Sequence, residues 1–215
     1  PSRATTAGIA GLTVGLAVLA LISPRLPAIM AEPSATPAVT AQKAAPAGTW
    51  QVDRTQSTLG FIASGGGTEL KGSFIAYDAT ITFDPADPGA TRVDVTIDMT
   101  SAKTVSGQYD DTLKGSDWFD TETHPSARFT AAKAMPGSDS SQFVLDGSLT
   151  LRGVTAPVQL PFTFTDNGDG SATATVAHTI SRNAFGVGPT EGFAGAVKDD
   201  VQLNFALRAT RTEGQ

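Results

Sequence analysis

Cysteine is absent from the 215 residues, so disulfide scaffolds, thiolate metal sites and cysteine nucleophiles are excluded. A cysteine-free chain is indifferent to redox compartment and is compatible with export. Histidine is scarce: only His124 and His178 are present, which excludes a multi-histidine metal centre. Positive charge is also short. The net charge is −6, and residues 1–31 carry Arg3 and Arg25 without an acid, leaving −8 on the remainder. Such a chain is a poor partner for nucleic acid or an anionic bilayer surface. Glycine (22) and proline (13) are too few for a collagen-like or low-complexity chain and suit a domain with many turns. No serine sits in a G-x-S-x-G elbow, and no G-x-x-x-x-G-K-[ST] phosphate loop occurs.

What is present begins with an uncharged apolar run from Ala7 to Ile22, preceded by Arg3 and ended by Ser23-Pro24-Arg25. A basic start followed by an apolar stretch reads residues 1–31 as a secretory signal or an uncleaved signal anchor. Its length lies between a signal's apolar region and a full membrane span. Residues 32–48 carry Pro33, Pro37 and Pro46, with no aromatic residue and no apolar period. This composition predicts an extended, semi-rigid linker.

From Trp50 onward the apolar period is two. Val93, Val95, Ile97 and Met99 alternate with Arg92, Asp94, Thr96 and Asp98. The same alternation runs through Phe143–Leu151, Val158–Phe164 and Val201–Leu207. These are half-buried antiparallel strands. Two long strands are predicted at about 50–64 and 69–84, and another at about 171–181. The second changes face between Phe74 and Ile75, which predicts a bulge or sharp bend. Gly65-Gly66-Gly67, Asp84–Gly89 and Asp166–Gly170 read as turns. The one helical stretch is 106–114, with Ser106 as N-cap and Gly115 just past its end. The fold class is therefore all-β: about eight strands closing into an antiparallel up-and-down barrel with a short helical excursion, a sandwich being second. Eight strands leave room for side chains or one small ligand.

Candidate chemistry is sparse. Asp166–Gly170 mimics the start of a calcium loop but lacks its closing glutamate, so a turn is the simpler reading. The acidic stretch 110–124, with Asp110, Asp111, Asp117, Asp120, Glu122 and His124, is either a loose metal site or, as the simpler reading, a solvated helix-associated loop. His178 shares the even face of its strand with Ala172, Ala174, Val176 and Ile180, and Arg182 continues that face. The pair is either core or a polar handle inside a cavity.

Several motifs together resemble the YceI family: Trp50-Gln-Val-Asp53 with Ser57-Thr-Leu-Gly-Phe61, Lys71-Gly-Ser-Phe74, Ile81-Thr-Phe-Asp-Pro85, and Leu113–Asp120 with Pro125. Gly147–Thr155 and Ile180–Gly186 complete the pattern. The resemblance covers residues 49–210, with 211–215 as a tail. It departs from the family at Gly65-Gly66-Gly67. It implies a lipocalin-like barrel with an elongated apolar cavity. It also implies an exported, periplasmic protein, tethered to the inner membrane if the first segment is uncleaved, that binds a long-chain isoprenoid, including isoprenoid quinones. No catalytic residue, metal or cofactor comes with the family. On this reading the ligand meets Phe61, Phe74, Trp118, Phe119, Phe129, Leu145, Phe162, Phe164 and Phe205, with His178 and Arg182 near its polar end. Two alternatives remain: a stress-related structural or partner-binding barrel without lipid, and a weak hydrolase or isomerase using His178 and Arg182. The sequence leaves a homodimer open.

Overall fold

The structure is a computed structural model and describes residues 48–189 and 196–212. The apolar segment and nearly all of the proline-rich linker lie outside the described residues. The strands are β1 (Gly48–Val52), β2 (Thr58–Gly65), β3 (Thr68–Phe74), β4 (Tyr77–Phe83), β5 (Arg92–Asp98) and β6 (Ala102–Thr104). A helix, α1 (Gly107–Lys114), precedes β7 (Ser126–Pro136), β8 (Gln142–Leu151), β9 (Val154–Asp166), β10 (Ser171–Ser181) and β11 (Val197–Thr212).

All pairings are antiparallel. β1 and β2 lie one after the other along β11, through Trp50↔Arg211 and Leu203↔Phe61. β3–β4 and β5–β6 are likewise two long staves, each interrupted once. Eight staves therefore form a meander, and the β1–β11 pairing closes it into a barrel. Closure leaves little free sheet edge, although β9 and β10 pair only over Thr163–Asp166 and Ala172–Thr175.

Local chemistry explains the interruptions. Gly66 and Gly67 have φ of 56° and 82°, which makes the β2–β3 connection a two-residue turn that needs positive φ at both positions. The predicted change of face at Phe74–Ile75 is the break between β3 and β4. Ile75 turns outward, and the Ala76 N–H donates to Ser101 Oγ at 3.1 Å. The bend in the second stave is thus fixed by the bend in the third.

Some boundaries differ from the sequence reading. β1 begins at Gly48, inside the expected linker, and β11 runs through Arg211 and Thr212, inside the expected tail. α1 starts at Gly107. Ser106 occupies the N-cap position without a side-chain bond, and Gly115 is extended (φ −63°) rather than left-handed. β7 was not distinguished by the sequence pattern. Its inward residues are Ala127, Phe129, Ala131 and Ala134, and the register shifts between Ala131 and Lys133. Alanine carries little hydrophobic contrast, and the shift breaks the alternation.

Inward residues form two clusters. One, at the end bearing residues 84–91, 137–141 and 167–170, includes Trp50, Phe83, Phe129, Phe143 and Leu160. The other, at the end bearing α1, includes Phe61, Met99, Leu113, Phe119, Phe185 and Val187. The Val93–Met99 face points inward as predicted, while Asp94 pairs with Arg128 outside.

Candidate functional site

Between the two clusters runs a cavity of about 240 Å³. Along β11 alone it is lined from Val197 to Ala209. That is roughly 40 Å of strand and, with the tilt of a barrel strand, roughly 30 Å along the axis. A small volume spread over that length is a narrow tube. It suits a chain rather than a compact ring system.

The lining is almost wholly hydrocarbon. Only Trp50, Tyr77, Thr91, Trp118 and Arg182 bring nitrogen or side-chain oxygen to it among the described residues. Most of these are already engaged. Trp50 Nε1 donates to the Phe83 carbonyl at 2.9 Å, and Thr91 Oγ1 donates to the Pro88 carbonyl at 2.7 Å. The Tyr77 hydroxyl is buried without a hydrogen-bond partner, and burial pushes its phenol above the usual value.

Phe61, Phe74, Trp118, Phe119, Phe129, Leu145, Phe162, Phe164 and Phe205 all line the tube. Two groups of rings pack on one another, one at each end. Phe83 meets Phe143, Phe162 and Phe164 at ring-centroid distances of 5.0, 5.3 and 5.0 Å. At the other end Phe61, Phe74 and Phe119 lie within 5.3–6.5 Å of one another. Edge-on and tilted ring pairs of this kind pack better than stacked faces. Two motif glycines make the rings fit. A Cβ on Gly72 would stand 2.3 Å from the Phe61 ring, and one on Gly147 would stand 2.7 Å from that of Phe129. Only glycine leaves the ring that space.

The two polar candidates fare differently. His178 is half-buried on the inward parity of β10 but does not line the tube. Arg182 lines it, yet its guanidinium is not free to receive a polar group. It is 4% exposed, and it donates to the carbonyls of Val187 (2.6 Å), Val197 (2.8 Å), Lys198 (3.1 Å) and Pro189 (3.2 Å). The side chain instead ties the end of β10 to the start of β11. Arg152 also serves the backbone, donating to the carbonyls of Gly186 and Ser116.

The acidic stretch resolves into separate structural roles. Asp110 is buried and caps β6: it accepts from the Thr104 N–H (2.7 Å) and hydroxyl (2.8 Å) and from Lys103 (3.2 Å). The Thr104 hydroxyl is the main reason its carboxyl is held below the usual range. In the calcium-like turn, Asp166 accepts from the Gly168 N–H, and Asp169 accepts from the Ser171 N–H and hydroxyl.

Sequence reasoning missed some of the lining. Leu113 enters from α1 and Val187 from an irregular turn, where a period of two has no meaning. Ala79, Ala174 and Tyr77 sit at inward positions of strands already recognised. Alternation extended to small residues would have found the two alanines.

Comparison with known proteins agrees with this geometry. Residues 50–209 match the model of the YceI-like domain. Protein YceI of Escherichia coli O157:H7 is 38% identical over 100 residues, 46% of this chain and 51% of that protein. The chain thus spans about half the length of the curated relatives it matches. Among solved structures, BcnA of Burkholderia cenocepacia superposes with a TM-score of 0.69 at 31% identity, covering 74% of this chain and all of that one. A polyisoprenoid binding domain from Saccharophagus degradans, implicated in plant cell wall breakdown, shares the fold at a TM-score of 0.60 and 15% identity, over 77% of this chain and 99% of that one. With a family match over nearly the whole described barrel, and its motif glycines making room for aromatic rings, the chain belongs to the YceI-like domain family.

Proposed function

We propose that the barrel binds one long apolar chain of the isoprenoid class, such as an isoprenoid quinone, and carries or stores it without chemical change. The single observation that carries this reading is the tube itself, hydrocarbon-lined from Ala209 to Val197. Burying each methylene is worth about 0.8 kcal/mol relative to water. Transfer between a bilayer and an apolar tube is nearly neutral, because both are hydrocarbon. Such a protein holds a chain that water does not dissolve and releases it at a membrane. The polyisoprenoid binding domain of Saccharophagus degradans, which shares this fold, supports the ligand class.

A binding role without catalysis is supported by the bonding of Arg182, whose guanidinium is spent on backbone carbonyls. His178 then stands without the partner the hydrolase or isomerase alternative needs. Export to the periplasm, with or without a retained anchor in the inner membrane, is supported by the apolar run Ala7–Ile22 behind Arg3. The proline-rich linker would then hold the barrel near the membrane that supplies its ligand.

Native mass spectrometry of the full chain produced in bacteria tests the reading. The expected result is a retained long-chain lipid, lost in Leu145→Trp and in Ala174→Leu, both of which fill the tube. Circular dichroism should be unchanged for at least one of them. Lipid retained in a folded variant overturns the reading, and a wild-type protein without lipid favours the structural barrel.

A further inference from the structure

We propose that the chain enters and leaves the tube sideways, through a notch in the wall between β9 and β10 that Phe185 plugs. The proposal rests on the reading of the tube as a chain-binding site.

The notch follows from two prolines. β8 pairs with β9 without a break from Val154 to Thr163. β9 pairs with β10 only from Asp166↔Ala172 to Thr163↔Thr175 and then stops. β10 continues to Ser181, paired on its other side with β11. The cause lies in β9. The Phe164 N–H donates to Ser141 at 2.8 Å, on the β8 side. Successive residues of a strand direct their backbone groups to opposite neighbours. The odd-numbered residues of β9 therefore face β10, and Pro157 and Pro161 are odd. Neither has an N–H to give. Followed back along β9 from Asp166, pairing ends at Thr163, two residues short of Pro161, and β10 is unpaired on this side from Val176 to Ser181.

The turn after β10 takes the place of the missing ladder. Phe185 is 2% exposed and belongs to the cluster against which Ala156 and Val158 of β9 and Ile180 of β10 pack. The turn is held by individual bonds. Arg152 grips the Gly186 carbonyl, Arg182 grips that of Val187, and the Gly188 N–H donates to Asp117 at 2.8 Å. From β5 through β7 and β8 to β9, and from β10 through β11 and β2 to β3, the wall is paired strand. At the notch, opening displaces one aromatic side chain and breaks no ladder. Val158, Val176 and Ile180, which border the notch, all line the tube. A chain passing there moves directly from outside into hydrocarbon.

The test is stopped-flow transfer of an anthracene-labelled C16 alcohol between phosphatidylcholine vesicles and the full chain. Pro157→Thr combined with Pro161→Thr supplies the missing donors at exposed positions. It should extend pairing with β10, seen as slowed amide exchange at 176–181, and slow both uptake and release by about fivefold or more. Phe185→Ala, or Arg152→Gln if that variant does not fold, should speed both rates by a similar factor. The equilibrium constant should change by less than about threefold, as expected of a gate rather than a contact. Unchanged rates in both the proline and the plug variants, with faster rates in Phe119→Ala, place the route at the end of the barrel and overturn the proposal. A wild-type protein that takes up no probe overturns the binding reading, and the portal with it.

Discussion

The two ends of the barrel are built on different principles. At the end bearing residues 84–91, 137–141 and 167–170, pairing runs up to the turns, and side-chain carboxylates such as Asp84, Asp139 and Asp169 bond to the backbone within those turns. Behind the turns the Phe83, Phe143, Phe162 and Phe164 rings close on one another. At the end bearing α1 the staves break, β9 parts from β10, and arginine side chains join loops through carbonyl oxygens. Ring packing is non-directional and dense at both ends, but only at the first is it backed by fully paired turns. Carbonyls held by guanidinium groups can be released and remade singly. The first end carries stability, and the second is where the wall can move.

Phe83→Ala should break this comparison most heavily. The ring is 4% exposed and meets three others, so its loss should cost about 3–5 kcal/mol in urea unfolding. Phe74→Ala at the other end should cost less, because Phe74 is only half-buried. Equal losses would erase the distinction between the ends.

Arg182→Met should cost about 2–3 kcal/mol, because it leaves several carbonyls without their donor. The effect should also be local. Amide exchange should quicken at 182–189 and 197–199, while the sealed end keeps its protection. Uniform loss of protection would mean that Arg182 supports the whole barrel rather than one loop.

The same division governs what could be read from the sequence. The closed barrel was legible because Val93–Met99 alternates large apolar and polar residues strictly, and Phe143–Leu151 and Val201–Leu207 do so with breaks only at Val144, Gly147 and Ala206. The glycine turn at 66–67 and the bend at Phe74–Ile75 were legible because each has one local cause. β7 was not, since three of its inward residues are alanines and its register slips after Ala131. The tube's aromatic lining followed from strand parity. The fate of Arg182 did not: parity aims it inward, but its partners lie in a turn and at the start of the next strand, which no periodicity brings together. The notch was written in Pro157 and Pro161, yet it becomes visible only once β9 has neighbours on both sides.

The central claim is that one chain occupies the tube from the sealed end to the end bearing α1. The direct measurement is intermolecular NOE contact between a bound long-chain isoprenoid alcohol and isotope-labelled methyl groups of the protein. The account predicts contacts in the same complex to Val93 and Leu145 near the Phe83 cluster and to Ile180 and Leu203 near the Phe119 cluster. Contacts confined to the outer surface, or to one cluster alone, would contradict it.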